Sequence, residues 1–69
     1  MLKVGDKIKI IDYGLFSIHP DIREEYYVIS EVEDYGFEKY YFKVDNHGSI
    51  YSQGFTEENI GTYVEKIED

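Results

Sequence analysis

The chain has 69 residues, no cysteine and a formal net charge of −8, and 42% of its residues are hydrophobic and 17% aromatic. This length allows one domain over residues 1–69, the lack of cysteine excludes a disulfide framework and a thiolate metal site, and the aromatic content is too high for a disordered chain. The excess of acid repels phosphate backbones and anionic lipid heads, so direct nucleic-acid or membrane binding is unfavourable.

Targeting signals are not apparent in the sequence. No apolar run approaches the ~20 residues that cross a bilayer. The segment Met1–Asp6 lacks the apolar core of a signal peptide. We therefore expect a cytoplasmic protein.

The first predicted strand lies near the N-terminus, where apolar and basic residues alternate after a Gly-Asp turn. Strict alternation is typical of a strand with one buried face. The apolar face would hold Val4, Ile8 and Ile10, and the polar face would hold Lys7 and Lys9.

A long loop is predicted over residues 12–24, because this stretch has no sustained period and contains the only proline. Loops of this length in small domains are uncommon, and they are either functional or packed on themselves. We expect four apolar residues to fold back onto the core, namely Leu15, Phe16, Ile18 and Ile22.

A β-hairpin forms the predicted centre of the fold. Its strands are Glu25–Val32 and Lys39–Val44, and the turn between them is Glu33–Glu38. Apolar residues lie on both faces of the first strand, which predicts either that both faces are covered or that a β-bulge shifts the pattern. In the second strand, one face is clearly apolar and holds Tyr40, Phe42 and Val44.

The C-terminal third is predicted to contain a tight turn at Asp45–Gly48, a strand at Ser49–Gln53, a helical turn within Gly54–Gly61 and a last strand at Thr62–Ile67. Thr56 is the expected N-cap of the helical turn. This order predicts an all-β fold, a small five-stranded barrel with one short helical turn before the last strand. Closure would remove most exposed strand edges.

Two segments resemble Src-homology-3-like (SH3-like) barrels of the bacterial and phage kind. Val4–Ile10 is similar to their opening strand, and Gly54–Ile60 is similar to the short helical turn before their last strand. The resemblance implies a five-stranded SH3-like barrel. Members of this group include ribosome- and transcription-associated modules of the KOW type, peptide-binding domains and many small phage proteins. An accessory protein of a phage or mobile element is the resulting hypothesis.

Catalytic and metal-binding patterns are weak in this chain. Asp45 and His47 could touch a metal ion, but two ligands fall short of the usual set. His19 with Asp21 and Glu24 could form an acid/base cluster, but no nucleophile motif completes it. We expect no enzymatic activity, no cofactor and no metal.

The most informative pattern is tyrosine interleaved with acid. A core this small cannot bury eight tyrosines, so some must be exposed near carboxylates. Exposed tyrosines are enriched at protein interfaces, although they also form cross-strand pairs that cover a sheet. We predict a site for a protein partner and hypothesise that the partner is basic. Its residues would be Asp12, Tyr13, Phe16, Asp21, Glu24, Glu25, Glu33, Asp34, Tyr35, Tyr41 and Tyr51.

Three further readings are open from the sequence. In a sharper form of the first hypothesis, the acidic face imitates nucleic-acid phosphate through Asp12, Asp21, Glu24, Glu25, Glu31, Glu33, Asp34 and Glu38. A second hypothesis is a nucleic-acid or ribosome-associated KOW-like module that uses Lys3, Lys7, Lys9, Lys39 and Lys43, with Tyr41 or Tyr51 as a stacking platform. The third is a structural homo-oligomeric subunit that associates through an uncovered strand edge or the tyrosine-rich face.

Overall fold

Five antiparallel strands form one sheet in the computed structural model, which describes residues 1–68. The strands are β1 (Lys7–Ile10), β2 (Tyr27–Asp34), β3 (Glu38–Asn46), β4 (Ser49–Thr56) and β5 (Val64–Lys66). Their order in the sheet is β4-β3-β2-β1-β5. The predicted all-β class is therefore confirmed.

Three short 3-10 turns supply the helical structure of residues 1–68. Two of them, Tyr13–Leu15 and Pro20–Ile22, lie in the long loop, and the third, Glu57–Asn59, precedes β5. The predicted helical turn is thus present, and Thr56, the last residue of β4, is its N-cap as predicted. Across the described chain, no helix is both long and apolar enough to cross a membrane.

A two-residue turn joins β3 to β4. His47 and Gly48 occupy it with φ angles of 52° and 94°, and Asn46 pairs with Ser49 on either side. Positive φ at both central residues is typical of the hairpin turn whose twist matches that of the strands. The predicted turn at this position is confirmed.

Aromatic rings fill the centre of the core. Tyr40, Phe42 and Val44 are fully buried, as the alternation in β3 predicts. The Phe42 ring centroid lies 4.8 Å from that of Tyr27 and 5.4 Å from that of Phe16, so these rings pack directly on one another. The buried hydrophobic residues are Leu2, Ile8, Ile10, Phe16, Ile18, Tyr27, Ile29, Tyr40, Phe42, Val44, Phe55 and Val64.

Two predicted core positions are wrong. Val4 is 61% exposed, because the chain turns at Gly5 with a φ of 96° and the alternation of β1 does not extend back to it. Leu2 is buried instead. Leu15 is also exposed, whereas Phe16, the next residue, turns into the core.

The sheet is open, with β4 and β5 as its two edges. We predicted that closure would remove most exposed edges, and this is not what the structure shows. After Thr56 the chain passes through the 3-10 turn and a second turn, so that β5 is only three residues long and its ladder is with β1. Within residues 1–68, β4 pairs along one side only, with β3.

Candidate protein-binding site

A β-bulge at Ser30 decides which residues of β2 face outwards. Ile29 pairs with Phe42 in the core, but the next pair is Glu31 with Tyr41, so the register shifts by one residue. The Ser30 hydroxyl donates a hydrogen bond to the Tyr41 carbonyl oxygen at 3.3 Å. Without the bulge, the period of two would carry the Glu31 side chain towards the core side of the sheet. Of the two alternatives predicted for this strand, the β-bulge is the one that the structure shows.

Glu33 is the centre of a cluster of carboxylate and phenol groups on this outer surface. The Tyr41 hydroxyl donates to Glu33 Oε1 at 2.6 Å, and the Tyr35 hydroxyl donates to Glu33 Oε2 at 3.3 Å. Lys39, which pairs with Glu33 across the strands, holds its Nζ 5.3 Å from the centre of the Tyr41 ring. Sequence analysis predicted Glu33, Tyr35 and Tyr41 as site residues, and the structure brings all three together.

The pKa of Tyr41 reports the strength of this contact. The hydrogen bond to Glu33 raises the pKa of Tyr41 to about 12, with smaller effects from burial and from the charges of Glu33 and Glu31. The phenol is therefore a neutral hydrogen-bond donor at physiological pH.

Gly54 leaves the space on β4 that the Tyr41 ring occupies. The two residues pair directly across β3 and β4, and a Cβ atom at Gly54 would lie 3.0 Å from Tyr41 Cε1. Only glycine lets the ring lie this close to the neighbouring strand. The ring thus covers the backbone of β4 and is held at its far end by Glu33.

The turn between β2 and β3 adds further acids and two exposed aromatic rings. Asp34 Oδ1 accepts a hydrogen bond from the Gly36 N–H at 3.1 Å, which shapes the turn. Glu38 pairs with Asp34 across the hairpin. Tyr35 and Phe37, within the turn, are 71% and 59% exposed. Large exposed rings among acids are what the tyrosine–acid pattern predicts.

The third 3-10 turn brings two more carboxylates to the same end. An open depression of about 590 Å³ is lined by Phe37, Thr56, Glu57 and Glu58. Asn59 Oδ1 accepts a hydrogen bond from the Thr56 N–H at 2.8 Å and so caps this turn. Residues from two segments that are distant in the sequence therefore share one surface.

Tyr40 fastens this turn to the sheet. Its ring is fully buried in β3, and its hydroxyl donates a hydrogen bond of 2.5 Å to Glu57 Oε2. Burial, together with the hydrogen bond to Glu57, raises the pKa of Tyr40 to about 12. Glu57 is consequently held next to the β2–β3 turn.

We call this surface the acidic end. Its segments, 31–41 and 56–59, carry six carboxylates and a single lysine side chain, Lys39. The carboxylates belong to Glu31, Glu33, Asp34, Glu38, Glu57 and Glu58, and the aromatic rings are those of Tyr35, Phe37 and Tyr41.

The predicted acids of the long loop lie apart from the acidic end. Glu24 and Glu25 precede β2, whereas Asp34 ends it, and seven strand steps of ~3.3 Å separate the two ends by roughly 20 Å. Glu24 and Glu25 line a second open depression with Lys43. Asp21 is exposed on the second 3-10 turn. The predicted acids therefore form two groups.

Other predicted loop residues have structural contacts. Asp12 Oδ1 accepts a hydrogen bond from the Gly14 N–H at 2.8 Å, and the Tyr13 ring lies 3.8 Å from the Arg23 guanidinium carbon. Tyr51 donates from its hydroxyl to the Ser17 carbonyl oxygen at 2.7 Å, which ties the loop to β4.

Phe16 is a core residue rather than a surface one. Its side chain is buried, and it packs edge-on against Phe42 and Phe55. Its aromatic surface is thus used inside the molecule. We correct its assignment from a contact residue to a residue that holds the loop on the sheet.

The acidic end includes three residues that the sequence did not identify as site residues, namely Phe37, Glu57 and Glu58. Counting outward from the two-residue turn at His47 and Gly48 would have found the last two, because each step back along β3 matches one step forward along β4. This count pairs Lys39 with Thr56 and carries the residues after Thr56 to the β2–β3 turn.

The five lysines of the nucleic-acid hypothesis are divided between the N-terminal segment with β1 and the strand β3. Lys9 lies opposite Glu65 of β5, and the Lys7 Nζ lies 5.0 Å from the centre of the Tyr26 ring. On β3, the Lys43 Nζ donates a hydrogen bond to the Ser52 hydroxyl at 3.2 Å. Strand β2 separates the two sets.

Residues 1–68 contain no group of three or more His, Cys, Asp or Glu side chains arranged to hold a metal ion. Searches of protein-family models, of curated proteins and of solved structures find no match to the chain. The function must therefore be argued from the geometry.

Proposed function

We propose that this chain is a small, non-catalytic SH3-like binding module whose acidic end takes a basic protein partner. The observation that carries the proposal is the gathering of six carboxylates and three aromatic rings on two adjacent turns, with one lysine among them. Acids alone serve solubility. Acids around exposed aromatic rings provide both charge and contact area.

The order of elements supports the SH3-like part of the proposal. A strand, a long loop, a three-stranded meander, one 3-10 turn and a short last strand follow one another along the chain. The sheet order β4-β3-β2-β1-β5 places the first and last strands side by side, as expected for such a module. The open edge at β4 is the feature that departs from a closed barrel.

Electrostatics supports a basic partner. The chain carries a net charge of −8, and its acidic end has a strong local excess of negative charge. A field of this sign speeds the encounter with a basic surface, and exposed rings such as Tyr35 and Phe37 then supply contact area. Imitation of nucleic-acid phosphate is the sharper form of this proposal.

A short peptide of alternating Arg and Leu is a suitable probe. We expect its titration to shift the amide NMR signals of residues 31–41 and 56–59, and we expect binding to weaken as salt rises. The triple variant Glu33→Gln, Glu38→Gln, Glu58→Gln should weaken binding by roughly tenfold or more, because it removes charges at the contact.

The matched control removes the same number of charges elsewhere. It is the triple variant Asp12→Asn, Asp21→Asn, Glu25→Gln, whose acids lie on or next to the long loop. This control should bind nearly as tightly as the parent. Equal weakening by both triple variants would show that only net charge matters and would reject the acidic end as a site. Salt-sensitive retention of RNA on filters would instead favour the lysine-based module.

A further inference from the structure

The exposed edge of β4 carries an independent inference. Natural edge strands are usually protected by charged side chains, by proline or by short length. The eight residues of β4, Ser49–Thr56, include neither a charged residue nor a proline. Ile50 on this strand is 64% exposed.

The hydrogen-bond pattern identifies the free backbone groups. The Thr56 N–H donates to the Asn59 side chain, so it points away from β3. The two-residue turn gives the same result. The residues that flank such a turn, Asn46 and Ser49, form a hydrogen-bonded pair, and hydrogen-bonded and non-hydrogen-bonded pairs then alternate along the strands. The N–H and C=O groups of Ile50, Ser52 and Gly54 therefore face outward along the edge.

We propose that β4 pairs with β4 of a second copy of this chain in an antiparallel, two-fold symmetric dimer centred on Ser52. In this register Ser52 faces Ser52 of the other copy, and Ile50 faces Gly54. Each such pair exchanges two hydrogen bonds, so all outward groups of the three residues are satisfied. Shifting the register by two residues would leave some of them unpaired or would require Thr56, whose N–H is already used.

Side-chain shape favours a second copy over an unrelated strand. One face of the sheet holds the side-chain positions of Ile50, Ser52 and Gly54. Tyr41 lies on the same face, with its ring against Gly54. The exposed Ile50 side chain of one copy would therefore meet the Tyr41 ring and the Lys39 side chain that cover Gly54 of the other. The exposed apolar side chain and the ring-covered glycine that it meets thus belong to the same edge of the sheet.

The net charge of the chain determines how the stability of the proposed dimer depends on salt. Each copy has a net charge of −8, so the two copies repel each other at long range. Each copy also brings the Lys43 Nζ, which bonds the Ser52 hydroxyl, close to the symmetry axis, and these two like charges repel as well. Added salt screens this repulsion and should strengthen the dimer. Binding of a basic peptide at the acidic end should weaken in the same salt series, so the two proposals can fail separately.

Sedimentation equilibrium of the whole chain over a concentration series provides the first test. We expect a monomer–dimer equilibrium. Ser52→Lys should weaken it by roughly tenfold or more, because it removes the hydroxyl partner of Lys43 and adds one more positive charge from each copy at the symmetry axis. Thr62→Lys adds the same charge on an exposed turn and should leave the equilibrium unchanged. A monomer up to millimolar concentration, or equal effects of both substitutions, would overturn the proposal.

Cysteine cross-linking tests the register. The chain has no cysteine of its own. In a hydrogen-bonded antiparallel pair the Cα atoms are ~5.5 Å apart, which suits a disulfide. Ser52→Cys should form a covalent dimer under mild oxidation. Ile50→Cys alone should not, because residue 50 of one copy faces residue 54 of the other in this register. Equal cross-linking of Ser52→Cys and Ile50→Cys by themselves would overturn the symmetric register.

Discussion

Removing the Tyr40 hydroxyl is the most direct test of how the acidic end is built. Tyr40→Phe keeps the fully buried ring and deletes the 2.5 Å hydrogen bond to Glu57 Oε2. It also removes the acceptor of the Leu2 N–H, which lies 3.4 Å from the hydroxyl oxygen. The 3-10 turn that carries Glu57 then loses a direct bond to β3.

The expected loss of stability follows from the partner's charge and exposure. A hydrogen bond to a charged group contributes about 1.5–3 kcal/mol to the free energy of unfolding. The Glu57 side chain is 47% exposed, so water satisfies its carboxylate after the substitution and the net loss is about 1–2 kcal/mol. In a domain of this size, about 1 kcal/mol shifts Tm by roughly 4–8 °C.

The pH dependence has a defined sign. The pKa of Tyr40 is about 12 in the folded chain, against 10.0 for an unperturbed tyrosine. The unfolded chain therefore loses this proton first, and the stabilisation is present below pH 10 and lost as the pH rises towards 12. Solvent screening at the half-exposed carboxylate limits this contribution to about 1 kcal/mol. Tyr40→Phe should lose less stability than the parent between pH 10 and 12.

Urea unfolding at pH 7 and over the alkaline range measures both effects. Tyr63→Phe is the matched control, because the Tyr63 hydroxyl makes no hydrogen bond within residues 1–68, and it should cost less than about 0.5 kcal/mol. A double-mutant cycle with Glu57→Gln isolates the pair. If Tyr40→Phe is as stable as Tyr63→Phe, or if its alkaline loss equals that of the parent, the reasoning is refuted.

Three further predictions concern the outer face and its turns. Gly54→Ala should destabilise the chain by about 1–3 kcal/mol, because the new Cβ would lie 3.0 Å from a Tyr41 ring that Glu33 holds in place. Thermal unfolding measures the loss of stability, and NMR shifts of the ring report its displacement. An unmoved ring at full stability would contradict this prediction. Gly48→Ala should cost about 1 kcal/mol in thermal unfolding, because its φ of 94° disfavours a side chain, and a neutral result would argue against this turn. Glu33→Gln should lower the pKa of Tyr41 from about 12, since the hydrogen bond to the Glu33 carboxylate is the largest cause of its elevation. An unchanged pH titration of the Tyr41 phenol signal by NMR would rule out the hydrogen bond between Tyr41 and Glu33.

Much of the fold could be predicted where side-chain period and turn chemistry agree. The alternation in β3 identified Tyr40, Phe42 and Val44 as buried, and all three are. Strand ends were less predictable, because pairing partners rather than local residue preferences decide them. β4 continues to Thr56 as far as β3 offers pairing partners. The open edge was not predicted either, because whether β4 gains a second pairing partner is decided by non-local contacts and not by a local pattern.

The part of the candidate site that lies on one hairpin could be predicted from the sequence, whereas the part placed by non-local pairing could not. Interleaving of tyrosine with acid led to Glu33, Tyr35 and Tyr41, because they lie on one hairpin whose turn is local in the sequence. Glu57 was missed because its place beside the β2–β3 turn follows only from the register of β3 with β4, which local patterns in residues 54–61 do not show. Phe16 was misassigned because a loop without a period gives no indication of which side chains point inward.

The bulge at Ser30 reverses, partway along β2, which alternate residues face the core. A saturation mutagenesis scan of β2 should require apolar residues at Tyr27 and Ile29, which are buried, and then change phase and prefer them at Val32. Glu31 and Glu33, which an unbroken alternation would classify as interior, should tolerate polar replacements freely. Sequence variation in that half of the strand could therefore alter what the molecule recognises while leaving its folding unaffected.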